Sequence, residues 1–452
     1  MIPGSEEIET IVLQKITPSP EEKKQIQDVI THLKKEVMTQ IKKTTIPIEI
    51  ELVGSIAKDT FIRHAVDIDL FLCFPPTVPR ETLEKTGLTI GRAILEQQEE
   101  CFAEHPYVRG MYKSIKTELV PCYKIQDATQ KLSAVDRTPL HTRYIEKHLK
   151  ESQKKEVRLF KQFLKGIGCY GAEAEIEGFS GYLCEITILK YKTFQHLVEQ
   201  VSQWKFGEKL SLDTHNPPEF TTPLVFIDPV DPNRNVASAV SLEKFNLLIK
   251  ACQEYKKQPR LNFFFPNKPQ PWTLAEITKQ LGTRQFIGVK FPKPAIIPEN
   301  LYPQIRKSLR SIRELCEQYD FPLITATFTV EENEVYIIVE PQDMTISKTV
   351  VHTGPPVSLK RNADDFLKKW IDNPRTVVKP YEKDKRWYVE IEREFTDIHD
   401  LLESQIKQIS LGKNIDVDIL KDLSVVDTKD LLREDLCLFW TLFLDARMSW
   451  ER

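Results

Sequence analysis

The chain has 452 residues, 41 % hydrophobic and 29 % charged, with a net charge of −3. That length favours about two to four domains, and no apolar run approaches the roughly 18 to 20 residues that span a bilayer. A chain this close to neutral can carry a nucleic-acid surface only as a local patch, and the acidic start MIPGSEEIET lacks a signal-peptide pattern, so we expect a cytoplasmic protein.

In chain order, residues 17–41 read as an amphipathic helix. Ser19 caps it, Pro20 fits its first turn, Glu22 completes a capping box, and Ile26, Val29, Ile30, Leu33, Val37 and Ile41 form the apolar stripe. A strand is expected at 48–53, then Gly54-Ser55, then a strand carrying Asp67 and Asp69 that ends at Pro75-Pro76. A helix over 80–102 and strands near 107–112 and 115–120 follow, an order that suits a mixed sheet with helices on one face. Residues 141–164, 181–203 and 242–256 read as helices. The Pro/Asp-rich segment 217–234, ending in DPVDPNRN, reads as turns. After the Pro-rich stretch near 263–272, a strand at 286–291, a helix at 302–319 and strands at 323–330 and 335–340 make a βαββ block. The remainder shows a helix near 364–370, a strand near 387–391 and a closing helical region. Eight cysteines form no CxxC pair and mostly sit in apolar runs, which reads as buried reduced thiols rather than zinc ligands.

The chemistry concentrates early. On a strand the side-chain period is two, so Asp67 and Asp69 share one face while Val66, Ile68, Leu70 and Leu72 take the other. Two adjacent carboxylates repel unless a cation lies between them. Alternation on a half-exposed strand also yields such a pair by chance. Glu118, on a later strand, is the natural third carboxylate; Asp59 is nearer in sequence but falls in a loop. Gly54 lets the backbone approach a phosphate, and Ser55 adds a hydroxyl, or merely caps a turn. Thr138 and His141 either reach a substrate or serve as helix cap and exposed side chain. Lys154, Arg158, Lys161 and Lys165 make a basic helical stripe, as do Arg306, Arg310 and Arg313; both suit nucleic-acid phosphates or a solvated face. Residues 360–387 add nine basic against five acidic residues with Trp370, Tyr381 and Trp387, a mixture that suits RNA.

Six stretches between residues 54 and 240 carry a family resemblance. They are GSIAKDTFIRHAVDIDLFLCFP, ELVPCYKI, SAVDRTPLHTRYI, KKEVRLFKQFLK, CYGAEAEIEGFSGYLCEI and FIDPVDPNRNVASAV. In this set and order the chain resembles the archaeal-type (class I) CCA-adding enzymes, tRNA nucleotidyltransferases of the superfamily that includes DNA polymerase beta. FPKPAIIPENLYPQIRKSLRSI extends the match more weakly.

The resemblance implies a multidomain α+β protein: a nucleotidyltransferase head with a mixed sheet at 1–140, a mainly helical central domain at 141–258, and an α+β tRNA-binding body and tail at 259–452. It implies Asp67, Asp69 and Glu118 as the Mg²⁺-holding catalytic carboxylates, with glutamate at the third position where the family favours aspartate. Gly54, Ser55, Lys58, Lys161 and Tyr170 fall where the family holds the triphosphate. Thr138, His141 and Ser180 fall beside the nucleotide, and Arg234 at the arginine that reads the base edge. Arg306, Arg310 and Arg313 become RNA contacts. The implied reaction is attack by a tRNA 3′-hydroxyl on the α-phosphate of CTP, CTP again, then ATP, with pyrophosphate leaving. The class is compatible with a homodimer. The rival readings are a poly(A) polymerase or terminal uridylyltransferase of the same superfamily, and a non-catalytic RNA-binding protein.

Overall fold

Local chemistry starts the first sheet's supporting helix as expected. In the computed structural model, which describes residues 2, 4–102, 105–213, 218–415 and 417–452, α1 (Ser5–Ile16) precedes α2 (Pro20–Ile41). The hydroxyl of Ser19 accepts the Glu22 N–H at 3.1 Å. The reciprocal half of the capping box is not made, because the Glu22 carboxylate accepts from Arg63 Nε and the His64 N–H instead. Ile26, Ile30, Leu33, Val37 and Ile41 are buried against the sheet.

That sheet contains β1 (Glu49–Val53), β2 (Asp67–Phe74), β3 (Glu96–Phe102), β4 (Pro106–Tyr112) and β5 (Ile115–Tyr123), in the order β1-β2-β5-β4-β3. A short α3 (Gly54–Ala57) follows β1, and α4 (Arg80–Ile94) follows β2. Only β2 and β5 run parallel; the other pairs are antiparallel. The period-two reading of β2 holds: Ile68, Leu70, Leu72 and Phe74 join the core under α2 and α4, whereas Phe71 and Cys73 pack on the opposite face with Val120 and Cys122. The helix expected over 80–102 stops at Ile94. Leu95 is extended, and residues 96–102 pair with β4 as an edge strand, a long-range contact that overrides their Glu- and Gln-rich helical preference.

The helical layer is more finely divided than its apolar pattern suggests. Residues 141–164 are not one helix but parts of α5 (Thr138–His148) and α6 (Glu151–Gly166), separated by extended Leu149 and Lys150. Residues 181–203 form α7 (Gly181–Tyr191) and α8 (Phe194–Val201), broken where Lys192 takes φ 72° and Thr193 caps the second helix. The strands β6 (Glu208–Leu210) and β7 (Leu224–Phe226) pair in parallel, and α9 (Leu242–Lys257) completes the layer. The segment read as turns, 217–234, is not turns throughout: residues 224–226 within it are β7, held as a strand by pairing with β6, and its first residue, Pro217, lies outside the described residues. Residues 1–268 and 447–452 form one compact unit and 269–446 another. Within the first, Phe263 and Trp450 stack at 5.2 Å, Trp450 is fully buried, and its indole N–H donates to Glu254.

The second unit begins with α10 (Leu274–Leu281) and contains the expected βαββ block: β8 (Ile287–Pro292), α11 (Pro298–Gln318), β9 (Leu323–Val330) and β10 (Glu334–Pro341). A second, smaller sheet has the order β11-β13-β12, from β11 (Thr349–Pro356), β12 (Thr376–Lys383) and β13 (Arg386–Glu392), with α12 (Lys360–Trp370) packed on it. After α13 (Ile398–Gln405) and α14 (Val417–Lys421), β14 (Ser424–Asp427) returns to pair with β8, giving β14-β8-β10-β9; α15 (Thr428–Leu431) and α16 (Cys437–Leu444) follow. Val335, Ile337 and Val339 face α11, while Tyr336 and Ile338 face Trp440, so this sheet is covered on both sides. All eight cysteines are free and buried. Among the described residues, no helix is long and apolar enough to cross a membrane.

Candidate active site

The site grows from one register. Val53, the last residue of β1, lies opposite Asp69, and Asp69 lies beside Glu118 on β5. Gly54 follows at once with φ 74°, and a Cβ there would lie 1.9 Å from Asp69 Oδ2. Glycine is therefore required twice, by backbone conformation and by the carboxylate it touches. Burial, reinforced by Glu118 and Asp67, pushes the Asp69 carboxyl up to about 7, against weaker opposition from Lys58 and Lys116. Glu118 is not idle: Arg109 Nε donates to its Oε1 at 2.7 Å, and the same guanidinium reaches Tyr107 Oη and Glu99. Burial disfavours the Arg109 charge, but Glu118 outweighs it and holds the group above its ordinary value.

These residues line a cavity of about 480 Å³ that also brings in the helical layer. Gly54, Ser55, Lys58, Asp67, Asp69, Glu118, Thr138, His141, Lys161, Tyr170, Ser180 and Arg234 all border it. Thr138 is the first residue of α5 and Arg137 stands at the cap position, so Thr138 is not the cap weighed from sequence. Ser180 caps α7, accepting the Leu183 N–H at 3.1 Å. The stripe of Lys154, Arg158, Lys161 and Lys165 does not form a nucleic-acid face. Arg158 and Lys161 are buried, and Arg158 donates to the Asp59 side chain and to the carbonyls of Asp59 and Phe61. Asp59, the alternative third carboxylate, is held by Lys23, Lys154 and Arg158.

Three groups bordering the cavity escaped the sequence reading because their partners are distant in the chain. Glu185, fully buried on α7, accepts from Lys58 Nζ at 2.5 Å, from Thr60 Oγ1 and from Lys161 Nζ at 3.3 Å. Burial opposes its charge, but the two lysines outweigh that and hold its carboxyl below the ordinary value, while burial holds Lys161 below its own. Arg137 pairs with Asp231 at 2.7 Å and keeps a buried Nε with no partner among the described residues. Tyr182 stacks on His141 with ring centroids 4.0 Å apart. Arg306 of α11 lies over the rings of Tyr302 and Phe328, while Arg310 and Arg313 are exposed on the same helix of the second unit.

Whether the carboxylates suit a divalent cation can be judged from charge and position. Asp69 carries repulsion that a cation relieves, and Asp67 and Glu118 border the same cavity. Among the described residues no three His, Cys, Asp or Glu side chains converge closely enough to hold an ion as they stand. Glu118 reaches Arg109 through Oε1, and its Oε2 has no such bond to Arg109. The donors thus fit by charge, chemistry and strand register, with Glu118 shared between Arg109 and the aspartate side.

Residues 31–141 match the family described as "Nucleotidyltransferase domain", 155–265 that described as "tRNA nucleotidyltransferase, second domain", and 282–428 that described as "CCA-adding enzyme, C-terminal domain". A CCA-adding enzyme of Methanosarcina mazei is 35 % identical over 435 residues, 95 % of each chain. One from Archaeoglobus fulgidus is 34 % identical, covering 95 % of this chain and 96 % of its own. Another from Methanothermobacter thermautotrophicus is 34 % identical over 98 % of both. Head, helical layer and α+β remainder all find their counterparts in sequence order, and on that full-length agreement the chain belongs to the archaeal-type CCA-adding enzymes, the class I tRNA nucleotidyltransferases.

Proposed function

We propose that this chain builds and repairs the 3′-terminal CCA of tRNA without a nucleic-acid template, using CTP and ATP and releasing pyrophosphate. The observation that carries the reading is Asp69 set between Gly54 and Glu118 in a cavity whose other wall holds Lys58, Lys161 and Arg234. Asp67, Asp69 and Glu118 would hold Mg²⁺, which would supply charge stabilisation for the triphosphate and a lowered pKa for the attacking hydroxyl. Lys58 and Lys161 share the single negative charge of Glu185, so the trio offers the triphosphate a fixed positive wall. Gly54, Ser55 and Tyr170 shape its floor, and Thr138, His141 and Ser180 border the nucleotide. Arg234 presents guanidinium donors to the base. With no template, base selection rests on the protein and the growing RNA end.

The order of family matches supports a catalytic head over residues 1–140, a helical nucleotide-binding domain over 141–258 that residues 259–268 and 447–452 join, and a tRNA-holding region over 269–446, in which Arg306, Arg310 and Arg313 face the RNA backbone. Such work on tRNA supports a cytoplasmic location. The test is transfer to a tRNA lacking its 3′ end. CTP alone should add two C residues, and one A should follow once ATP is present. Long tracts of A with ATP alone overturn the reading in favour of a poly(A) polymerase. Asp69→Ala should abolish transfer and spare tRNA binding.

A further inference from the structure

One carboxylate stands directly behind the cavity and touches three of the groups that border it. Asp228 has a fully buried side chain. Its Oδ2 accepts from His141 Nε2 and from an Arg234 terminal nitrogen, both at 2.9 Å. Its Oδ1 accepts from Tyr182 Oη and from the Val230 N–H, both at 3.1 Å. An ionised carboxylate has about four acceptor positions and no donor, so all four are in use and every partner must donate. Burial opposes the charge, but His141, the Val230 N–H and Arg234 outweigh it and hold the acid down at about 2.

The direction of these bonds decides what the partners have left. Burial holds His141 below its ordinary value despite Asp228. A neutral imidazole that gives Nε2–H to Asp228 carries a bare, accepting Nδ1. Tyr182 donates its hydroxyl hydrogen and keeps acceptor lone pairs. Arg234 commits one of its donors and keeps the rest. Stacking locks His141 and Tyr182 together. The result is a set of acceptors next to a set of donors. Cytosine and adenine each carry an amino donor beside a ring-nitrogen acceptor. Uracil and guanine carry a carbonyl acceptor beside a ring N–H donor, the reverse order.

We propose that Asp228 is a specificity-positioning residue: by accepting from His141, Tyr182 and Arg234 together, it fixes which of them accept and which donate toward the base, and so favours CTP and ATP over UTP and GTP. This rests on the CCA-adding reading. An amide at 228 cannot accept from all four donors, because its NH₂ end is itself a donor. Sites that present the wrong buried polar partner reject ligands strongly, so losing the arrangement weakens rejection of the wrong base.

The experiment measures kcat/KM for CTP and for UTP on tRNA lacking CCA, in the full chain and in Asp228→Asn. The preference for CTP over UTP should fall at least tenfold, mostly through KM. An unchanged ratio, with both substrates losing equally, assigns Asp228 a purely structural role and overturns the proposal. If that variant does not fold, Tyr182→Phe, which deletes one donor and keeps the carboxylate, takes its place; a smaller fall in the ratio is expected, and no fall overturns the proposal. Nitrogen-15 NMR of wild-type histidine side chains should find His141 as the neutral Nε2–H tautomer, and the Nδ1–H form likewise overturns it. Wild type that fails to add C, C and A defeats the CCA reading itself, whereas wild type that adds them beside an unaltered variant ratio defeats only this inference.

Discussion

Gly54 and Asp69 show how closely single residues constrain the site. A methyl group at 54 meets Asp69 Oδ2 at 1.9 Å and also takes an unfavourable positive φ. Gly54→Ala should therefore lower kcat by on the order of 100-fold, as a displaced reacting group does, with tRNA binding measured by filter retention unchanged. Asp69 predicts a pH dependence. Its folded value, about 7, lies above the ordinary 3.8, so the folded state binds the proton more tightly than the unfolded chain. That stability is complete below about pH 4 and is lost as pH rises through about 7, on the order of a few kcal/mol. Denaturant midpoints in chelator should accordingly fall between pH 5 and 8, and added Mg²⁺ should restore them; a flat profile counts against the carboxylate cluster. Asp67, Asp69 and Gly54 were readable because strand period and a glycine turn are local signals. Asp228 was readable only as part of a turn, since its partners His141 and Tyr182 lie 87 and 46 residues away.

At the scale of elements, sequence pattern succeeded where the spacing of apolar residues marks the face turned to the core. β2, α2 and the βαββ block of the second unit carry that signal plainly. Residues 96–102 did not, because their polar side chains favour a helix and only pairing with β4 makes them a strand. The α6 stripe misled for a related reason: basic residues at helical spacing look solvated until Asp59 and Glu185, from distant segments, are placed against them. Removing Glu185 leaves two buried lysines facing each other. Glu185→Gln should destabilise the protein by about 3 to 5 kcal/mol, read as a lowered urea midpoint with an unchanged slope. The α11 stripe differs, since Arg310 and Arg313 remain exposed. Charge reversal at both should weaken tRNA binding and reduce the salt slope by about 2, while leaving kcat at saturating tRNA intact.

At the scale of the molecule, no local pattern hints that residues 447–452 belong with residues 1–268. No periodicity marks them, and only the packing of Trp450 on Phe263 reveals the return. Trp450→Ala should cost about 3 to 5 kcal/mol, and calorimetry should show the loss in the transition of the first unit. The same return has a consequence for synthesis. Ribosomes deliver chains from the amino end, and early domains usually fold as they emerge. Here the helical core lacks its Trp450 until residues 269–446 have been made. At roughly 5 to 20 residues per second that interval lasts on the order of ten to thirty seconds. For that time the nascent first unit carries the apolar face of Phe263 without the ring that covers it.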